Sequence, residues 1–278
     1  MLKIDAHQHF WQYNPVRDSW IDDSMSVIRR DFMPGDLEPL LKDFGFDGCV
    51  VVQSDQSPEE NLFQLRNAAA YSFIKGVVGW VDLQADDIAA QLEVLAAYPQ
   101  LKGFRHILQG EGDRALMLKP SFKNGISQLK DFGFTYDLLV LTDQLKYTAE
   151  LVAQFPNQHF VLDHMAKPGI KNREIAEWQR DLSAMATFEN LSCKVSGMVT
   201  EADWKQWKPA DLTPYLDVVF EAFGPNRLMY GSDWPVSLLA ASYGQWVELL
   251  KEYVSDRLSE SEQQLFWGGN AINFYDLK

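Results

Sequence analysis

Residues 2–10, Leu-Lys-Ile-Asp-Ala-His-Gln-His-Phe, are the stretch on which the fold assignment depends. The stretch predicts a β-strand, whose side chains alternate between two faces. We therefore expect Asp5, His7 and His9 to share one face, and the residues between them to share the other. Two imidazoles then leave the end of one strand together, where they could bind a divalent metal or a substrate oxygen. Taken alone, a His-x-His pair is more often an ordinary surface feature, so its meaning depends on the rest of the chain.

The rest of the chain predicts seven further short apolar strands, separated by helices and loops. The eight predicted strands cover residues 2–10, 47–53, 74–83, 101–108, 134–140, 159–163, 191–195 and 227–231. One strand and one helix in roughly every 30 residues is typical of parallel pairing, and eight such units match a closed (β/α)8 barrel. An open doubly wound sheet is the alternative, but it favours a Gly-rich turn after its first strand, where this chain has Asp-Ala-His-Gln-His. We predict a single α/β domain over residues 1–278, a (β/α)8 barrel.

Several helix starts are predicted from capping signals. Ser57–Glu60 reads as a capping box with proline at the first helical position. Asp36 and Thr142 are expected to cap the helices that follow them, and Asp211 to begin another. These helices should cover the outside of the barrel.

The net charge and composition of the chain limit the kinds of molecule that it is expected to bind. The net charge is -14 at pH 7 and the isoelectric point is near 4.7, so nucleic acid and anionic membranes are not expected partners. No run of 18 apolar residues occurs, and we expect a cytoplasmic protein. Cys49 and Cys193 lie in apolar strands, which favours reduced core thiols. The oligomeric state stays open, with a homo-oligomer among the alternatives.

Polar residues gather where the predicted strands end. The residues at these ends are His7, His9, Arg105, His106, Tyr136, Asp137, Asp163, His164, Lys194, Ser196 and Asp233. The carboxyl ends of the strands are the active-site face of a barrel, so we predict a metal or catalytic role for His7 and His9. His159 opens a strand at the opposite end and is expected to be structural. For Asp233 a helix N-cap is the alternative, and for Arg105 a structural ion pair.

These residue types suffice for hydrolysis. A metal or a carboxylate can activate water, imidazoles can polarise a carbonyl, and a cation can hold an anionic or polyhydroxylated group. The chain lacks a Gly-x-Ser-x-Gly elbow and a phosphate-binding loop, so serine-nucleophile and phosphoryl-transfer mechanisms have no support.

Four motifs of the sequence are Asp5-Ala6-His7-Gln8-His9-Phe10-Trp11, Gly103-Phe104-Arg105-His106, Leu162-Asp163-His164-Met165-Ala166-Lys167-Pro168 and Tyr230-Gly231-Ser232-Asp233-Trp234-Pro235. Together they resemble the amidohydrolase superfamily, and within it the sugar-lactone hydrolases of the L-fuconolactonase and L-rhamnonolactonase type, to which 2-pyrone-4,6-dicarboxylate lactonase is related. The likeness runs nearly end to end. The resemblance implies a (β/α)8 barrel that opens a sugar aldonolactone to the sugar acid.

The resemblance also implies roles for residues. The expected catalytic residues are Asp233 as general base, His164 and His106. The expected metal ligands are His7, His9, His164 and Asp233. The expected substrate contacts are Arg105, His106, Tyr136, Trp11 and Trp234. Two-metal members of the superfamily use a bridging lysine and further histidines that this chain does not match, so we expect one divalent ion, Zn²⁺, or none.

Two other functions fit the same sequence. One is a metal-dependent decarboxylase of an aromatic or unsaturated acid, because the same branch of the superfamily contains such enzymes with a similar His-x-His and terminal Asp. The other is a barrel that binds sugar acids without turning them over. Aromatic residues in the loops at 11–20 and 204–207 could stack on a sugar face or simply pack over the barrel mouth.

Overall fold

Eight parallel strands form one sheet in the order of the sequence. The computed structural model describes all 278 residues, and each strand pairs with the next along the chain. The strands are β1 Ile4–Gln8, β2 Gly48–Val52, β3 Ile74–Gly79, β4 Leu101–His106, β5 Thr135–Leu138, β6 Phe160–Leu162, β7 Leu191–Val195 and β8 Leu228–Tyr230. This is the (β/α)8 barrel that the sequence predicts.

Helices alternate with the strands and surround them. They are α1 Pro34–Phe44, α2 Pro58–Ala70, α3 Ile88–Leu95, α4 Pro120–Leu129, α5 Leu145–Gln154, α6 Ala176–Met185, α7 Met198–Glu201, α8 Pro209–Phe223, α9 Tyr243–Ser255, α10 Glu260–Gln264 and α11 Asn270–Tyr275. None of them combines the length and the apolar character needed to cross a membrane.

The barrel closes through the segment that follows β8 rather than through β8 itself. The amide of His9 donates to the carbonyl of Trp234 at 2.8 Å, and the amide of Asp233 donates to the carbonyl of His7 at 2.8 Å. These two bonds hold the ends of the first and last strands side by side. The backbone of His7, His9 and Asp233 is therefore fixed by the same contacts that complete the barrel.

The first strand departs from simple alternation. The pairing of β1 with β2 shifts register between Asp5 and Gln8, which marks a β-bulge. Ile4 and Ala6 pack with other strands inside the barrel, whereas Asp5 accepts a hydrogen bond from Tyr243 in the outer layer of helices. The prediction that Asp5 shares a face with His7 and His9 is therefore wrong, because the bulge turns His7 inward after Ala6.

Two helices begin earlier than predicted, for the same reason. Pro34 and Pro209 occupy the first helical positions of α1 and α8, where a missing N–H costs nothing. Asp36 and Asp211 lie two residues further on, and their carboxylates accept from the amides of the residues that precede each proline. The acidic residues thus stabilise the helix starts from inside the first turn.

Of the two other predicted helix starts, the one at Ser57 is confirmed except for its capping box, and the one at Thr142 is not. Ser57 caps α2 as expected, with Oγ accepting from the amide of Glu60, but Glu60 turns to Ser54 and does not complete a capping box. Thr142 lies in a single 3-10 turn ahead of α5, and its hydroxyl donates to the carbonyl of Ala166.

The amino end of the barrel is closed by the C-terminal segment. Ala271, Tyr275 and Leu277 pack against Ile4 and Val50 inside the barrel. The opposite end, where the strands finish, stays open to a cavity. The candidate active-site residues meet at that end.

Candidate active site

Three imidazoles converge on one carboxylate oxygen at the open end of the barrel. The Nε2 atoms of His7, His9 and His164 lie 3.9, 3.4 and 3.8 Å from Oδ1 of Asp233. All four side chains are buried. The structure thus brings four of the predicted site residues together.

The other ring nitrogen of each histidine faces an acceptor of its own. Nδ1 of His9 lies 2.8 Å from the carbonyl of Val52, Nδ1 of His164 lies 2.8 Å from Oγ of Ser196, and Nδ1 of His7 lies 3.2 Å from Oδ1 of Asp163. With the proton on Nδ1 in each ring, all three Nε2 atoms present lone pairs towards Asp233.

The backbone is strained where it presents two of these groups. Asp233 has a φ of 55°, and His164 begins a run of non-glycine residues in the left-handed region that ends at Lys167. Such conformations cost about 1–3 kcal/mol each and persist where the surroundings impose them. A Cβ at Gly197 would lie 2.7 Å from Nδ1 of His164, so glycine is needed there for the close approach.

Burial sets the charge state of the site. Burial lowers the pKa of His164 to about 4, against the opposing effect of Asp233. Burial likewise holds the pKa of His7 well below 6.5, although Asp163 acts to raise it. Burial disfavours the ionised carboxyl of Asp233, but His164 and His9 outweigh it and lower the pKa of that carboxyl. At neutral pH the site therefore holds the neutral imidazoles of His7 and His164 beside the ionised carboxylate of Asp233.

Arg105 adds a fixed cation beside His7. One terminal nitrogen of its guanidinium donates to Asp163 at 3.0 Å and lies 3.3 Å from Nε2 of His7. The other donates to the backbone carbonyl of Gln53 at 2.6 Å, and the side-chain Nε2 of Gln53 donates to the backbone carbonyl of Arg105 at 3.0 Å. Arg105 therefore combines both alternatives left by the sequence, since it pairs with a carboxylate and also lines the cavity.

The cavity above these groups has a volume of about 310 Å³, which suits a small molecule. Trp11 and Trp20 contribute aromatic surface, and their rings meet edge to face with centroids 6.2 Å apart. The cavity is lined by His9, Trp11, Trp20, Ser54, Arg105, Ile107, Gln109, Gly110, Leu139, His164, Lys167, Asp233 and Val236. The loop at 204–207 lies elsewhere, beside α9.

Three of the residues predicted to be catalytic or to bind substrate lie outside this cavity. His106 contacts Glu111 at 2.8 Å and Trp80 at 3.4 Å on the outer side of β4. Tyr136 is buried among Phe122 and Phe160 and its hydroxyl has no hydrogen-bond partner. These positions correct the expected catalytic and substrate-binding assignments, because adjacent residues of a strand point to opposite faces and Arg105 and Asp137 take the inner one.

Trp234 is the third of these residues. Its ring packs against Phe10 and Phe32, with centroids 6.3 and 5.2 Å away, and is buried. Its carbonyl, rather than its ring, serves the site by accepting from the amide of His9. Trp234 therefore stabilises the closure of the barrel and does not line the cavity.

Sequence reasoning missed several residues around the site. Lys167, Ser54 and Gln109 line the cavity without having been assigned a role. Lys167 belongs to one of the four motifs quoted in the sequence analysis, and this position could have indicated a role in the site. Nothing in the local pattern indicates Ser54 or Gln109, because loop residues carry no periodicity.

The donor set fits one divalent metal ion. The donor atoms of His7, His164 and Asp233 all lie within 4.8 Å of one another. Two neutral imidazoles and a carboxylate, with a cavity on the open side, match a catalytic zinc site with three protein ligands. The guanidinium of Arg105 beside His7 opposes a bound cation, and Asp163 offsets its charge. His9 contacts Asp233 but lies outside this compact group.

Comparisons with known proteins agree with this architecture. The family model for amidohydrolases matches residues 4–277. The chain is 38% identical to a curated L-fucono-1,5-lactonase of Burkholderia multivorans, over 99% of this chain and 96% of that protein. It is 37% identical to the L-fucono-1,5-lactonase of Burkholderia ambifaria, over 99% of this chain and 95% of that protein.

A crystal structure gives the same result at the level of the backbone. An amidohydrolase from Burkholderia multivorans, solved with bound zinc, superposes with a TM-score of 0.96 at 38% identity and full coverage of both chains. Together with the nearly complete family match, this likeness settles the assignment. The chain is a hydrolase of the amidohydrolase family.

Proposed function

We propose that the chain hydrolyses a sugar aldonolactone of the L-fucono-1,5-lactone type. The observation that carries the proposal is the convergence of three imidazole Nε2 atoms and the Asp233 carboxylate below a small cavity. Its support is the full-length likeness to two L-fucono-1,5-lactonases. A lactone carbonyl needs a water activated by a base and a group that stabilises the developing oxyanion, and the site offers both.

Asp233 is the base in this proposal. Its pKa is lowered, so the carboxylate is ionised at neutral pH and accepts a proton from the attacking water. The water oxygen forms a bond with the lactone carbonyl carbon. When the bond from that carbon to the ring oxygen breaks, the proton passes from Asp233 to the ring oxygen, which leaves as a hydroxyl. The products are the open sugar acid and the regenerated carboxylate.

Arg105 binds and polarises the reacting carbonyl. The guanidinium of Arg105 is held rigid by Asp163 and Gln53, so it offers a fixed positive charge at the cavity floor. A zinc ion held by His7, His164 and Asp233 would polarise the carbonyl and make the water more acidic when it is bound. Nε2 of His9 lies 3.4 Å from Oδ1 of Asp233, and His9 lines the cavity beside it.

The walls of the cavity suit a sugar ring. Trp11 and Trp20 present apolar surface to one side, and such surfaces pack against the C–H face of a sugar. Lys167 and Gln109 line the same cavity and offer hydrogen bonds to hydroxyl groups. The substrate class is therefore a small polyhydroxylated lactone.

The test is a pH-indicator assay against a panel of aldono-1,4- and 1,5-lactones, including the L-fucono, L-rhamnono, L-galactono and D-arabinono forms. Each reaction is run with and without a chelator, and a reaction without protein gives the background of spontaneous hydrolysis. We expect fastest acid release with L-fucono-1,5-lactone and loss of rate with chelator. Acid release at the background rate with every lactone would refute the proposal, and release of CO₂ from aromatic acids would then identify a decarboxylase.

A further inference from the structure

A cluster of four buried charges lies directly below the imidazoles. Asp137 on β5, Lys194 on β7, Arg105 on β4 and Asp163 at the end of β6 are all at most 4% exposed. Lys194 pairs with Asp137 and lies 3.1 Å from Asp163, which in turn pairs with Arg105 at 3.0 Å. Two cations thus balance two carboxylates, as buried charges require.

One side chain that contacts this cluster comes from the far end of the chain. Tyr275 belongs to α11, which packs into the amino end of the barrel. Its hydroxyl reaches both carboxylate oxygens of Asp137, at 3.0 and 2.9 Å. The proposed reaction gives this contact no part, because Tyr275 does not line the cavity.

The position of Lys194 decides which nitrogen of His7 can carry a proton. The ammonium makes its shortest contact with Asp137 and lies 3.3 Å from Nδ1 of His7. If Lys194 donated to that nitrogen, the proton of His7 would have to move to Nε2 and the lone pair facing Asp233 would be lost. While Lys194 is held by Asp137, Asp163 can accept from Nδ1–H of His7 at 3.2 Å.

We propose that Tyr275 is a positioning residue of the catalytic centre, which acts through Asp137 and Lys194 to fix the tautomer of His7. The hydroxyl of Tyr275 orients the Asp137 carboxylate, and that carboxylate competes with Nδ1 of His7, 3.3 Å from the ammonium, as the acceptor for Lys194. Helix α11 is therefore a functional part of the site, in addition to closing the amino end of the barrel. This inference shares the catalytic centre with the proposed function and rests on it only for its kinetic readout.

The experiment compares Tyr275→Phe with Tyr215→Phe. The first variant removes one hydroxyl and keeps the ring that packs below Lys194. The second removes a buried hydroxyl that has no hydrogen-bond partner, on α8. We measure zinc affinity by chelator competition, the ring nitrogens of histidine by ¹⁵N NMR on ¹⁵N-histidine-labelled protein, and kcat and KM with the lactone.

For Tyr275→Phe we expect zinc affinity to fall about tenfold, in the range known for residues that orient metal-binding histidines. We expect kcat to fall by a similar factor with KM within about twofold, and the Nδ1 and Nε2 resonances of His7 to move towards the other tautomer. A His7→Asn spectrum identifies those resonances among the five histidines. Tyr215→Phe should match wild type in every readout.

Unchanged His7 resonances together with wild-type zinc affinity in Tyr275→Phe would overturn the inference, even if its melting temperature dropped. If the wild-type protein hydrolysed no lactone, the proposed function would fail. The NMR and zinc measurements would still decide the role of Tyr275, and in a protein without zinc affinity the NMR spectrum alone would decide it.

Discussion

The ends of β1 and β4 each carry two candidate residues, yet the two strands deliver them differently. His7 and His9, two positions apart, both reach the site. Arg105 and His106 are adjacent, and only Arg105 reaches the site. His106 contacts Trp80 and Glu111 on the outer side of the strand. On β5 the same rule places Asp137 inside and Tyr136 outside. Position within the strand, rather than residue type, decides which polar side chain belongs to the site.

The first prediction concerns Asp233, the proposed base among the side chains that reach the site. Asp233→Asn keeps the shape of the side chain but cannot accept a proton from water, so kcat should fall by about 10³-fold or more. The measurement is steady-state hydrolysis of the best lactone, with circular dichroism to establish that the variant is folded. Turnover within tenfold of wild type would remove Asp233 from the role of base.

The second prediction concerns the residue that orients His164. Ser196→Ala removes the hydroxyl that lies 2.8 Å from Nδ1, so the imidazole loses its fixed tautomer. We expect kcat/KM and zinc affinity each to fall about tenfold. The control is Ser237→Ala, which removes a buried hydroxyl without a hydrogen-bond partner. Equal effects of the two variants would contradict the assignment.

The third prediction, with the smallest expected effect, concerns Tyr136 on the outer face of β5. Tyr136→Phe removes a buried hydroxyl that has no partner, so the free energy of unfolding should stay the same or rise by up to about 1 kcal/mol. Urea unfolding measures this change. KM for the lactone should equal that of wild type, and a marked rise in KM would return Tyr136 to the substrate site.

Much of this arrangement was open to prediction from the sequence. The count of apolar strands predicted the barrel, and the polar residues at strand ends predicted the group formed by His7, His9, His164 and Asp233. The alternation of a strand already forbids Arg105 and His106 from sharing a face, so that error came from reading strand ends without applying the alternation. Local sequence patterns are sufficient to predict a feature when residues close together in the chain determine it.

The remaining features depend on contacts between distant parts of the chain. The bulge in β1 follows from the pairing of β1 with β2, and none of residues 2–10 predicts the bulge. Tyr275 reaches Asp137 from 138 positions away, a contact that only the closed barrel creates. A single sequence carries no signal for such pairs, because each side chain is an ordinary core residue until the fold brings it to its partner.

The most direct test of this account compares Arg105→Lys with His106→Gln, two neighbouring positions on one strand. Lysine keeps the charge but cannot reproduce the fork held between Asp163 and Gln53, so kcat/KM for L-fucono-1,5-lactone should fall about 100-fold. His106→Gln should stay within about threefold of wild type. A large loss in His106→Gln with little change in Arg105→Lys would contradict the account.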